Sequence, residues 1–435
     1  MWADESVFYQ FYPLGMTGAP FENDGKLEHR ILQVLNWVNH LKRLGISCVY
    51  FSPLFESDTH GYNTRDYRKL DTRLGTNEDF KKVCDVLHEN GIRIILDGVF
   101  NHAGRGFFAF QDVIKNRENS QYKDWFYLSF EGDSVYNDGF WYEGWEGNYD
   151  LVKLNLSNPS VREYLLGSVK YWIDTFDIDG LRLDVAYMVD RNFLKELRYN
   201  CDQWKKDFFL LGEILGGDYK TIMNNEMCHS ATNYECFKGI YSALNSLNLF
   251  EIVHSLLRQF GPEDWALYRG FSPVAFVDNH DVTRIASNLN RKEHIPLAYG
   301  IMFAMPGIPM IYYGSEWGIK GHKNEGDSTL RPAVEKPKWN ELTDTVAAMA
   351  HAFCQSKPLQ YGDFSSMILE NQHCIFVRSF EGERVLCAVN ASDGEHTFHG
   401  DFQAGKAIDL ITGQSVDFGG GLTLPGNSIM FLQPM

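Results

Sequence analysis

"DGLRLDVAYMVD", residues 179–190, reads as a buried strand with charge built into it. Its apolar run carries Arg182 and Asp184 two positions apart, and side chains two apart on a strand share a face. A continuous apolar run is what a strand covered on both sides of a parallel sheet looks like, so that shared face is poor in water. A permanent cation and a carboxylate need a reason to be there. Working outward, the same oddity recurs: Asp97 ends "IRIILD", Glu213 follows "FFLLG" and Asp281 closes "VAFVDNHD".

Further short apolar runs, "VFYQFYP", "ISCVYFSPLF" and "IPMIYYG", complete a series separated by amphipathic segments. "HRILQVLNWVNHLKRLG" and "NEDFKKVCDVLHENG" read as helices; the second opens on an Asn cap, and both close on Gly. Strand and helix alternate to "ELTDTVAAMAHAFCQS", so the class is α/β, and a closed (β/α)8 barrel over residues 1–102 and 156–357 fits the length best. One strand is poorly marked and is placed near "TNYECF" at 232–237; a doubly wound open sheet is the alternative that pattern leaves standing. Residues 103–155, rich in aromatics, Gly and Asn, are too long for an ordinary connection and read as a lobe inserted after the third strand. Residues 358–435 change to strands and turns, which predicts an appended all-β sandwich.

The 435 residues carry a net charge of −17, which argues against nucleic-acid or anionic-membrane partners, since those are gripped by Lys and Arg. An aromatic content of 14% suits a neutral polyhydroxylated ligand as readily as a well-stocked core. The eight cysteines form no CxxC pair or compact framework, and the N-terminus "MWADESVFYQ" lacks the features of a signal peptide. Both point to a cytoplasmic protein, or to one whose leader has been removed.

In a barrel, the four acidic strand ends project at the C-terminal mouth, where catalytic groups are placed in this architecture. Carboxylates held together raise at least one pKa, while Arg182 can keep another ionised. Acetal hydrolysis needs that split: an acid for the leaving oxygen and an anion for the oxocarbenium carbon. His102 in "FNHAG" and His280 in "DNHD" would donate hydrogen bonds at the rim. A metal-dependent hydrolase is the competing reading, but no HxH or HExxH pair occurs and Glu213 has no adjacent His.

"DGVFNH", "GLRLDVA", "GEIL" and "FVDNHD", in that order, resemble the four motifs of the α-amylase family of glycoside hydrolases. The resemblance runs on through "HGYNTRDYRKLDTRLGT" and "GIPMIYYGSEWG". It implies Asp184 as nucleophile, Glu213 as general acid/base and Asp281 as transition-state stabiliser. Arg182 would hold the nucleophile ionised, His102 and His280 would bind sugar hydroxyls, Tyr62 would stack beneath the ring and Asp97 would support the site. Asp327 and Arg331 in "GDSTLRP" resemble a pair lining the donor side. The implied reaction is double displacement with retained α-configuration on α-linked glucose oligosaccharides.

"DLVKLN" at 150–155 and "GEIL" look most like the cyclomaltodextrinase, neopullulanase and maltogenic amylase group. The barrel begins almost at residue 1, without that group's N-terminal module, so a monomer or another assembly is expected. Tyr187 and Met188 stand where calcium-dependent members show a Lys-His pair, so no metal or other cofactor is expected and calcium at Asn101 is not supported. Leu215 replaces an aromatic often found past the acid/base. Two further readings stay open on the same fold: an α-glucanotransferase, and an inactive carbohydrate-binding protein.

Overall fold

A computed structural model describes all 435 residues. Eight parallel strands form the central sheet: β1 (Phe8–Phe11), β2 (Cys48–Phe51), β3 (Arg93–Gly98), β4 (Gly180–Leu183), β5 (Phe209–Gly212), β6 (Ser230–Ala231), β7 (Val274–Phe276) and β8 (Ile308–Tyr312). The order runs β6-β5-β4-β3-β2-β1-β8-β7, and a parallel bridge from Thr232 to Val274 joins the two ends. The Asn233 N–H donates to the Val274 carbonyl at 2.9 Å across the same seam. The sheet is therefore a closed barrel, and the open doubly wound alternative is excluded.

The poorly marked strand lies earlier than the sequence suggested. β6 is only Ser230–Ala231, and Tyr234–Ser246 is a helix capped by the Asn233 side chain, which accepts from the Cys236 N–H. Small residues at a tight seam leave no apolar run to read. A second correction concerns the helix Asn77–Glu89, whose cap is Thr76 in a reciprocal box with Asp79. Asn77 is used elsewhere: its Oδ1 accepts from the Leu70 N–H at 2.7 Å and its Nδ2 donates to the Arg68 carbonyl at 2.8 Å. This helix buries Phe80, Val83, Cys84 and Leu87 against the barrel, the three hydrocarbon side chains each contributing roughly 1.5–3 kcal/mol. The helix expected over 29–45 is a 3-10 helix (Arg30–Trp37) continuing into an α-helix (Val38–Leu44), which stops at Gly45 with φ of 82°.

Strand periodicity then sorts the side chains into two sets. Tyr9, Phe11, Val49, Phe51, Ile94, Leu96, Leu181 and Leu210 face outward beneath the helices. Phe8, Cys48, Ile95, Phe209, Leu211, Phe276, Ile308 and Met310 fill the barrel interior. Continuing each interior row by two residues toward the C-terminal end gives Gln10, Tyr50, Asp97 and Glu213, with Arg182 and Asp184 on the intervening strand. The barrel is thus plugged with hydrocarbon below and lined with hydrogen-bonding groups above.

Strand His102–Gly104 pairs antiparallel with Asn148–Lys153, which anchors the inserted lobe at the mouth. The C-terminal region has a six-stranded antiparallel sheet facing a two-stranded one, with Ile375, Val377, Leu386, Phe398, Leu422 and Leu424 between them. It docks on the barrel through buried Arg378, whose Nη1 donates to the Ala304 carbonyl at 2.8 Å. No helix is long and apolar enough to cross a membrane.

Candidate active site

Asp97 on β3 and Arg182 on β4 are register partners in the parallel pairing, so their side chains emerge side by side. Arg182 Nη1 donates to Asp97 Oδ1 at 2.9 Å and to Asp184 Oδ1 at 2.8 Å, while Nη2 lies 2.6 Å from Glu213 Oε1. One guanidinium therefore gathers three carboxyls from three strands. Tyr50 and Tyr62 add hydroxyl donors to Asp97 Oδ2 at 2.7 and 3.2 Å, fixing it as a support behind the site.

Val185, just past the nucleophile candidate, has φ of 40°, in the left-handed region that a β-branched residue strongly disfavours. Such strain costs on the order of 1–3 kcal/mol and persists where surroundings enforce it. Here it turns the Val185 N–H onto Glu213 Oε2 at 2.8 Å. Glu213 thus accepts a hydrogen bond at Oε2 and is ion-paired with Arg182 at Oε1.

Burial pushes the Asp184 carboxyl well above the ordinary range, against the pull of Arg182, and pushes Glu213 up as well. Arg182 favours the ionised Asp184, while burial and the neighbouring Glu213 and Asp97 oppose it. Both carboxyls are thus pushed toward their protonated forms, against the pull of the one cation they share. Asp281 behaves oppositely. Burial alone would raise it, but His280, Arg331 and Arg182 hold it well below the usual range, so it stays anionic.

Arg331 Nη2 donates to Asp281 Oδ1 at 2.9 Å and lies 3.3 Å from Asp327 Oδ2, and Lys323 Nζ reaches Asp327 at 2.6 Å. The Asp327 and Arg331 pair therefore forms one wall of the site. His102 is buried rather than at the rim, and burial lowers its pKa to about 3, so it is neutral. Asn101 Nδ2 faces its Nδ1 at 3.2 Å, which makes Nδ1 the acceptor and Nε2 the proton-bearing nitrogen. That Nε2 has no protein partner and points toward Asp184 Oδ2 at 3.8 Å, a donor placed for a ligand oxygen.

His280 is also buried, and both its nitrogens are committed: Nδ1 accepts from Gln10 Nε2 at 2.8 Å, and Nε2 meets the Tyr62 hydroxyl and, at 3.0 Å, Asp281. Its ring stacks on Tyr62 with centroids 5.7 Å apart. His280 and Arg182 accordingly position neighbours in this geometry instead of presenting free donors to a sugar.

A cleft of about 420 Å³ opens onto this cluster, lined by Tyr62, His102, Asp184, Glu213, Asp281, Asp327 and Arg331. Trp145 of the inserted lobe closes one side, its ring 5.9 Å from that of His102 and its Nε1 3.2 Å from Met188 Sδ. Gln10, Tyr50, Trp145, Val185 and Lys323 were not singled out from the sequence. Gln10 carried a signal, a lone polar residue inside an apolar strand; Trp145 and Lys323 did not.

Asn101 is buried beside the site. Its carbonyl accepts from the Leu154 N–H at 3.0 Å, its amide nitrogen faces His102, and Asp150 lies near His60 at 3.7 Å. A metal-like grouping of three potential ligands occurs elsewhere, at Glu370, His373 and His396.

The sequence profile described as "Alpha amylase, catalytic domain" matches residues 22–357. The chain belongs to the alpha-amylase family. It is a glycoside hydrolase of that family, and its relatives refine the placement. It is 31% identical to a cyclomaltodextrinase from Bacillus sp over 91% of this chain and 74% of that protein. It is 33% identical to a maltogenic alpha-amylase from Bacillus acidopullulyticus over 91% of this chain and 69% of that one. In structure it is similar to the cyclic alpha-maltosyl-(1→6)-maltose hydrolase from Arthrobacter globiformis, with a TM-score of 0.84, 26% identity and complete coverage of both chains.

Proposed function

We propose that this alpha-amylase family member hydrolyses maltooligosaccharides and cyclodextrins with retention, using Asp184 as nucleophile, Glu213 as general acid/base and Asp281 as the anion that stabilises the transition state. The single observation that carries this reading is the guanidinium of Arg182 within 2.9 Å of Asp97, Asp184 and Glu213, which packs more acid into the mouth than it can neutralise. Retaining enzymes need their two carboxyls only about 5–5.5 Å apart, and contacts to one shared cation suit so short a spacing.

A sugar ring seated over Tyr62 places its anomeric carbon at Asp184 and its glycosidic oxygen at Glu213. Positive charge developing at that carbon favours an ionised Asp184, which leaves Glu213 as the protonated acid of the pair. Glu213 then gives its proton to the departing oxygen as the C1–O bond breaks and Asp184 forms a glycosyl ester. In the second half Glu213 takes a proton from water, which attacks C1 and releases Asp184. Asp281, held anionic, faces the oxocarbenium-like charge in both halves. His102 Nε2–H is the donor for a ring hydroxyl.

The test is product analysis of maltotriose, cyclodextrin, pullulan and starch digests. Glucose and maltose from maltotriose support hydrolysis, chiefly lengthened chains support the transferase reading, and no turnover of any of them sinks both. Work in the cytosol is also proposed, because all eight cysteines are unpaired and seven are buried thiols, as a reducing compartment keeps them.

A further inference from the structure

The C-terminal sandwich contains a cluster with no part in sugar cleavage. Glu370 sits in the turn between strands Asp363–Leu369 and His373–Phe380 of the larger sheet, and His396 begins strand His396–Phe398 of the smaller one. Glu370 Oε2 lies 3.0 Å from His373 Nδ1 and 3.6 Å from His396 Nε2, and the two imidazoles stack with centroids 3.6 Å apart at 8°. All three ligand atoms fall within 4.8 Å of one another.

The surrounding hydrogen bonds orient one of these rings. His373 Nε2 is 3.2 Å from Ser392 Oγ, whose own proton goes to Asn390 Oδ1 at 2.7 Å. Ser392 must therefore accept, which fixes the proton on Nε2 and turns the Nδ1 position toward Glu370. A nitrogen lone pair facing a carboxylate oxygen at 3.0 Å is stable only with a positive charge between them, a proton or a metal ion. Two stacked imidazoles, in turn, disfavour both being cations. An outer partner that sets the tautomer of a ligating histidine is the usual support of a metal site.

We propose that Glu370, His373 and His396 bind one zinc-class divalent transition metal ion that clips the two sheets of the sandwich together. Two imidazoles and one carboxylate are a donor set that zinc accepts, leaving a fourth position for water. Zinc bonds of about 2.0–2.1 Å in a tetrahedron give ligand-to-ligand edges of about 3.4 Å. The observed 3.0 and 3.6 Å straddle that edge, the two nitrogens lie within 4.8 Å of each other, and the nearly parallel rings must rotate apart for both lone pairs to converge on one ion. Side-chain exposures of 17%, 24% and 51% for His373, His396 and Glu370 leave an entry path.

The clip would also reach the barrel. Asn371, next to Glu370, accepts from the Leu249 N–H at 2.7 Å, so fixing the turn fixes a point of domain docking. Binding to the folded state alone raises apparent stability by mass action.

The test uses the full chain stripped with chelator and titrated with zinc chloride alone, read by calorimetry and by thermal unfolding. The expected result is one zinc per chain with a rise in Tm, and no comparable response to calcium, which prefers oxygen cages. His396→Ala and, as a milder change, Glu370→Gln should each weaken zinc binding at least tenfold and remove the Tm rise, whereas His29→Ala on a different element should not. Circular dichroism of each stripped variant separates loss of the site from loss of the fold. Absence of stoichiometric zinc binding, or undiminished binding by folded His396→Ala and Glu370→Gln, overturns the proposal and leaves a proton as the only bridging cation.

Discussion

Two buried arginines show how differently one charge can be used. Arg73 is fully buried and pairs with a single carboxylate, Asp71, through Nε to Oδ1 at 2.8 Å and Nη2 to Oδ2 at 2.7 Å. Its remaining donors go to the carbonyls of Pro20 and Phe21 and to Ser57 Oγ, so every need is met locally. Arg182, 3% exposed, is shared among Asp97, Asp184 and Glu213. One cation matched to one anion with all donors satisfied makes a strut. One cation short of its anions favours the protonated form of an acid beside it, and a proton favoured in that way can be given to a substrate.

The largest expected effect is at the undercompensated site. Glu213→Gln and Asp184→Asn should each lower kcat on maltotriose roughly 10²- to 10⁴-fold, the scale of lost acid–base or nucleophilic help, while circular dichroism stays native. A near-normal rate in either pure variant would remove the role assignment and, with it, the contrast between the two arginines. Asp71→Ala should act in the opposite way, costing about 3–5 kcal/mol of stability by stranding the Arg73 charge, while the folded fraction keeps its kcat. An unchanged denaturation midpoint would show that Arg73 is not a strut.

A smaller effect sharpens the comparison through pH. Burial raises the folded-state pKa of Asp184 above its unfolded value of about 3.9, so the folded state binds that proton more tightly. Stability from this group is present below that value and is lost as pH rises through the raised one. Asp184→Asn should therefore raise stability by about 0.5–2 kcal/mol at pH 7 and lose the advantage below about pH 4, measured by urea unfolding at both. A destabilised variant at pH 7 would mean that Arg182 does compensate all its acids. The same shift predicts that kcat/KM falls on the alkaline side, as the Asp184 and Glu213 pair loses its last proton. Least of all should change at His102: with a pKa near 3, its imidazole resonances should stay flat between pH 5 and 9.

Much of this is legible in the sequence itself. Alternation along "LRLD" put Arg182 and Asp184 on one face, and the same parity in "RIILD" and "FLLGE" aimed Asp97 and Glu213 at the same end of the barrel. The sixth strand was misplaced because Ser230 and Ala231 make a strand through seam hydrogen bonds, not through an apolar run. His102 and His280 were found as residues but misjudged as rim groups, since nothing in "FNHAG" or "DNHD" reports depth.

The order of residues along the chain determined which groups share a face, because a strand repeats every two residues whatever it packs against. It also settled the family, since four motifs spread over successive strands survive as text. Only closure of the barrel decided how many carboxyls meet one guanidinium, which nitrogen of His102 is left without a partner, and that the lobe's Trp145 stands over the cleft. Proton positions depend on distances between segments far apart in the chain and on the water excluded between them, and neither quantity exists until the chain has folded.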